Sequence, residues 1–410
     1  MADITLSPIP YNGGTITSNF MGHHYTELST GKYIHVSHQI NPNYVFAYIN
    51  NTTNLKSGTF TTANAPMRVI CSQSTTPAAP SVATNIRLWK LSANRVLMLM
   101  GAALYVLEVG GNDDISVKSA TIAGFQNTFI VLNASYFTSP PNGSNVYGSY
   151  YQGWYVRDNV VYIALRSNTS SNLTATLKKI VYDPSADTLT QTTITTLNSA
   201  TTTGNVAFWR CYLQSIPGST KKLFSMRNSL NLGTFFSATI SGSQFIDGVT
   251  DVAGQTIGAA PNSLYAMVPL SDSTVLGISS TQTPTYYTWT GAGWGSQTAV
   301  YNSVGNNSYP IVQAEALDSN YFITVMTNIQ TDIFANPQLW IRISRFVDPT
   351  FGQTSTVTSS SIGLAVAINS HAAPDQDFVM HPSPDLFEVP AYTSQNAMIP
   401  SIRVIYQPGA

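Results

Sequence analysis

Charge is what this sequence has least of. Only 9% of its 410 residues are Asp, Glu, Lys or Arg, against about 25% in ordinary soluble domains. The net charge is −1. A near-neutral chain exerts no broad pull on nucleic acid or on an anionic membrane, so neither is expected as a partner. Cysteine is nearly missing too. Cys71 and Cys211 stand 140 positions apart, which gives neither a disulfide framework nor a metal-ligand spacing. Two buried thiols are expected. No stretch approaches the about 18 apolar residues of a membrane helix. The opening "MADITLSPIPYNGG" has neither the basic nor the apolar region of a secretory signal, so synthesis in a cytoplasm is expected. Glutamate occurs only at Glu27, Glu108, Glu315 and Glu388. No pair of them is spaced as the two carboxylates of a glycosidase would need, and no nucleophile elbow, phosphate loop or zinc-protease motif is present. The expectation is a non-enzyme with no cofactor and no metal.

What is present is apolar and aromatic. Hydrophobic residues make up 43% and aromatics 11%, which separates the chain from disordered sequences of similar polarity. No 11-residue window carries an apolar stripe at helical spacing. Short β-branched and aromatic runs are instead punctuated by Gly, Pro, Asn, Asp and Ser, as in "RVLMLMG", "ALYVLEVG", "NVVYIALRS" and "QLWIRISRFV". The expected class is all-β.

The runs recur in fours. Residues 86–122 hold "IRLWKLS", "RVLMLMG", "ALYVLEVG" and "ISVKSATI"; the same order returns at 264–301 and 311–361, and more loosely at 151–197, 207–252, 32–72 and 364–407. The second run of each set is apolar on both faces, as a strand buried between two sheets must be. Four-stranded antiparallel meanders at a period near 50 residues predict a single β-propeller over 29–410, with seven blades, or six if one terminal set fails. Trp89, Trp154 and Trp209 fall in first strands and Trp289 and Trp340 in third strands, where they read as fillers between blades. Residues 1–28, with Pro8, Pro10, Gly13 and Gly14, read as an N-terminal arm that docks on another subunit or neighbouring protein. The last strand, 401–407, is expected beside or within the blade of 32–38, because an open ring would leave exposed edges.

The repeated polar turns, "LSAN", "LSDS" and "LDSN", join first and second strands and define one short-turned face. Asp, Asn and Ser suit them because they tolerate tight backbone angles and bond their own main chain. Long connections emerge on the other face: 73–85, 123–150, 302–310 and 327–338. The stretch "NASYFTSPPNGSNVYGSYYQGW", which runs on from 123–150, carries Tyr136, Phe137, Tyr147, Tyr150 and Tyr151, and 327–338 carries Phe334; Tyr among Gly, Ser and Asn is a chemistry of adaptable recognition loops. Tyr136, Tyr147, Tyr150, Tyr151 and Phe334 are the expected contacts to a glycan or receptor. All six histidines, His23, His24, His35, His38, His371 and His381, lie near the two ends. His35 and His38 are three apart in a strand and face opposite sides, so scattered histidines are expected rather than a metal site.

The weakly charged Thr/Ser/Asn-rich strands, the "MADITLSPIP" opening and cadences such as "LSDSTVLGI" resemble β-propeller virion proteins of tailed bacteriophages, from the tail, tail fibre or head surface. The resemblance covers roughly 30–408, is compositional, and transfers no site residue. It implies a virion component present in multiple copies, held by other virion proteins, with host attachment through a glycan or receptor. Two alternatives stay open: a purely architectural part such as a capsid decoration or tail ring, and a glycan-cleaving propeller enzyme.

Overall fold

The computed structural model describes residues 3–8, 11–12, 20–40, 43–51, 60–61, 68–79, 86–125, 151–169, 172–198, 208–229, 239–258, 264, 266–279, 285–295, 299–300, 311–319, 321–328, 338–345, 352–358, 366–367, 380–383, 386–389, 392–393 and 402–407, some of them by backbone alone. They are all-β and form seven four-stranded antiparallel sheets and two two-stranded ones. Six of the larger sheets are continuous stretches of chain. The first holds Phe20–Ser29, Lys32–Ile40, Asn43–Asn51 and Arg68–Cys71; the second holds Arg87–Ser92, Arg95–Met100, Ala103–Val109 and Ile115–Ala123. The third to sixth begin at Tyr151, Phe208, Ala266 and Ile311. The seventh combines Met380–Ser383, Leu386–Val389 and Ile402–Gln407 with Asp3–Pro8 from the other end of the chain.

Two details differ from the sequence expectation. The segment 1–28 contains strands: Asp3–Pro8 pairs with Ile402–Gln407, and Phe20–Ser29 forms the first strand of the first sheet. The strand at 402–407 therefore joins residues 3–8 and not the sheet of 32–38. Also, Val366–Ala367, the described part of the run at 364–370, pairs with Tyr392–Thr393 and not with a strand of the seventh sheet.

Alternation explains the packing. In Arg95–Met100, Val96, Met98 and Met100 point toward the first sheet, while Leu97 and Leu99 point toward the third. All five are at most 2% exposed. Burying each contributes roughly 1.5–3 kcal/mol. The five apolar clusters of the described core each lie between consecutive sheets, from the first pair to the fifth. Cys71 and Cys211 are buried free thiols within two of these clusters, and burial pushes the Cys71 thiol up to about 12. Gln214, in Phe208–Ser215, donates to Met267 O at 2.8 Å and Ala314 O at 2.5 Å. One buried amide thus ties together the first strands of the fourth, fifth and sixth sheets.

Tryptophans set the spacing between sheets. Trp89 of the second sheet lies against Gly153 of the third, and Trp154 of the third against Gly248 of the fourth. A Cβ at Gly153 would overlap the Trp89 indole at Cδ1 and Nε1. Gly153→Ala is therefore expected to cost the upper end of the about 1–3 kcal/mol typical of overpacking. Urea denaturation measures this, and an unchanged midpoint would show that the two sheets can part freely.

Candidate functional site

A pocket of about 420 Å³ opens between the third and fourth sheets. Its wall comes from the first strand of the third sheet, through Trp154, Val156 and Arg157, and from two turns of the fourth sheet. The turn between the first and second strands supplies Ser215, Ile216, Ser219, Thr220, Lys221 and Lys222; the turn between the third and fourth supplies Gly248 and Val249. Both turns lie on the short-turned face. The volume falls in the range of small-ligand sites.

The turns are placed by aspartates in the left-handed region. Asp113, Asp187 and Asp251 have φ of 58°, 49° and 58°, and each sits in the turn between the third and fourth strands of its sheet. Asp tolerates this backbone because its short side chain finds local or nearby hydrogen bonds. Each also accepts from the preceding sheet. Lys32 Nζ meets Asp113 at 2.6 Å. Ser119 donates its backbone N–H to Asp187 at 3.1 Å and its hydroxyl to the same oxygen. Asp251 accepts from Tyr162, Lys179 and Arg157, the last at 3.2 Å. Arg157 also donates to Gly248 O at 3.1 Å. This fixes the arginine in the pocket wall and draws the Gly248 turn against Trp154. Burial alone would raise the Asp251 pKa, but Lys179, Tyr162 and Arg157 together outweigh it and hold it down to about 2.

Lys222 differs from the other two cations of the wall. Arg157 pairs with Asp251, and Lys221 with Asp272 at 3.1 Å. Lys222 is half-buried; its Nζ donates to Ser215 Oγ and lies 5.5 Å from the Trp154 ring centroid. Burial holds its pKa down to about 8, with the Glu315 carboxylate opposing from a distance. A second cleft, about 490 Å³, lies between the fourth and fifth sheets and is lined by Gln255, Thr256, Trp289 and Trp294 among glycines. Its lining carries no ionisable side chain.

Of the contacts expected from sequence, Tyr136, Tyr147, Tyr150 and Phe334 lie outside the described residues. Tyr151 opens the strand Tyr151–Arg157 opposite Leu165, at the end of the strand away from the pocket, and only its backbone is described. Of the histidines, His35 is buried and stacked between Tyr48, at 4.6 Å, and Tyr25, at 5.1 Å. Among the described residues no three His, Cys, Asp or Glu come together as a metal site would need. The sequence reading missed Lys221, Lys222 and Ser215. The available signal was "PGSTKK" at 217–222: paired lysines at a turn, in a chain with only 18 Lys and Arg.

No family model matches the chain, and no curated protein matches it. Solved structures resemble it along its length. "YCF48 bound to D1 peptide" shares 8% identity with a TM-score of 0.45, over 100% of this chain and 95% of that one. The WD40 β-propeller domain of Doa1 shares 10% with a TM-score of 0.41, over 99% and 98%. U3-55K shares 9% with a TM-score of 0.44, over 99% and 98%. Likeness at this level adds nothing to the strand pairing described above.

The Asp251 network yields a pH prediction. Its folded pKa lies below the unfolded value, so its stabilisation is full above about pH 4 and disappears as pH falls toward 2. Asp251→Asn keeps a side chain that accepts left-handed backbone and removes the charge. It should cost roughly 2 kcal/mol at pH 7, and the gap between wild type and variant should narrow between pH 4 and pH 3. Denaturant midpoints across that range provide the test; a gap independent of pH would assign the loss to backbone or packing.

Proposed function

We propose that this protein is a non-enzymatic attachment component of a phage particle, a seven-bladed propeller whose short-turned face binds a surface glycan. The observation that carries the proposal is the wall of the pocket between the third and fourth sheets. It combines an indole, Trp154, with the hydroxyls of Ser215, Ser219 and Thr220 and the cations Arg157, Lys221 and Lys222. An indole offers sugar rings an apolar contact surface, and hydroxyl and ammonium groups bond sugar oxygens. Seven four-stranded sheets support a seven-bladed form, and Asp3–Pro8 pairs with Ile402–Gln407 within the seventh. Other virion proteins are its partners, consistent with the resemblance of its composition to virion propellers. Tyr136, Tyr147, Tyr150, Tyr151 and Phe334 belong to a second, opposite face in this reading.

The test measures adsorption of the purified chain to host envelope polysaccharide. Trp154→Leu keeps an apolar filler against Gly248 and removes the aromatic surface. It is expected to lose about 2 kcal/mol of binding, the usual effect at an aromatic hot spot, with its circular dichroism unchanged. The triple variant Tyr147→Ala, Tyr150→Ala, Tyr151→Ala separates the two faces. Loss only in the triple variant moves recognition to the long connections. Failure of the wild-type chain to adsorb overturns the attachment role and leaves an architectural part.

A further inference from the structure

Resting on the glycan reading, we infer that the bound sugar is acidic: its carboxylate sits on Lys222 Nζ and its ring lies against Trp154 and Val156. Three observations lead there. The pocket wall holds three cations and no carboxylate. Two of those cations are already paired with carboxylates outside the wall, Arg157 with Asp251, which Lys179 shares, and Lys221 with Asp272. Lys222 is the exception, since among the described residues no carboxylate lies within 4.0 Å of its Nζ. A half-buried ammonium on which the Glu315 carboxylate acts only from beyond ion-pair distance is costly, and a fixed carboxylate beside it recovers that cost. The lowered pKa of Lys222 reflects the same lost solvation.

The geometry favours a carboxylated ring over a bare anion. Bidentate capture of an anion needs a free guanidinium fork, and the Arg157 fork is taken by Asp251 and Gly248 O. Lys222 presents a single point charge. Ser215 Oγ accepts from Lys222 and keeps its own proton to donate. The Lys222 ammonium lies over the indole, so a carboxylate bonded to it brings the attached ring to the apolar side of the pocket, formed by Trp154 and Val156. A hexuronic acid unit has this layout: one carboxylate on a ring otherwise bearing hydroxyls.

Isothermal titration of the full chain tests the assignment with three probes at pH 7 and constant salt: oligogalacturonate, its methyl ester, and inorganic phosphate. The acid is expected to bind at least about tenfold more tightly than the ester, a difference of about 1.4 kcal/mol. Lys222→Met should abolish that preference, so that the variant binds the acid no more tightly than the ester, while Lys222→Arg should retain it. The melting temperature of Lys222→Met at pH 7 should equal or exceed that of wild type, because a poorly compensated charge has been removed. If Lys222→Met instead melts lower, Lys222→Gln replaces it in the titrations and the same preference must vanish. Equal binding of acid and ester by wild type overturns the carboxylate assignment and leaves the glycan reading intact. Phosphate binding as tightly as the acid, and competing with it, overturns the sugar. Binding of none of the three at millimolar concentration overturns the acidic-sugar assignment, while adsorption to native envelope polysaccharide decides the glycan reading separately.

Discussion

An aspartate in left-handed backbone that reaches back to the previous sheet is the contact on which the arrangement of the first four sheets depends. It occurs three times in the same structural place, at Asp113, Asp187 and Asp251. Each time it accepts from the sheet before it, through Lys32, through Ser119, and through Arg157, Tyr162 and Lys179. Arg68 with Asp114 and Lys221 with Asp272 extend the pattern. A chain with so little charge has concentrated much of it at the seams between sheets. Exposed ion pairs are individually weak. Their value here lies in direction, because a turn anchored to its neighbour cannot rotate, and the residues it presents keep a fixed position.

Apolar packing supplies the energy that these contacts orient. The strand Arg95–Met100 is buried on both sides, and its alternating side chains serve two different cores. Indole against glycine then sets how close two sheets come, at Trp89 with Gly153 and at Trp154 with Gly248. In the second case the Gly248 turn is held from outside by Arg157, and the gap left beside the indole is the pocket. Seam, spacer and site are formed by the same few residues. The pocket is therefore as rigid as the packing of the sheets around it.

Much of this was legible in the sequence. The set read at 86–122 is the second sheet at 87–123, and the sets at 264–301, 311–361, 151–197 and 207–252 coincide closely with the fifth, sixth, third and fourth sheets. Period-two burial and polar turns mark such strands clearly. The two ends were harder. "FMGHHYTELS" is a full strand, yet its histidines and glutamate hide the alternation. Asp3–Pro8 was read as part of an arm over 1–28 because of Pro8, Pro10, Gly13 and Gly14. Pro8 ends an edge strand that pairs on one side only, a position where a missing N–H costs little. The site was not legible, because its parts come from one strand of the third sheet and two turns of the fourth. Trp154 was correctly read as a spacer between sheets, and nothing in a linear sequence tells that a spacer also borders a cavity. Turn aspartates were read through backbone preference alone, which could not reveal that they also bond across to the neighbouring sheet.

The register of the seventh sheet carries one more consequence. Asp3 lies opposite Gln407, and Pro8 opposite Ile402. Residues 3–8 and 402–407 are thus neighbours across a single strand pair. A short linker could join residue 407 to residue 3, and a break at a tight turn such as 157–160 would create a circular permutant with the same contacts.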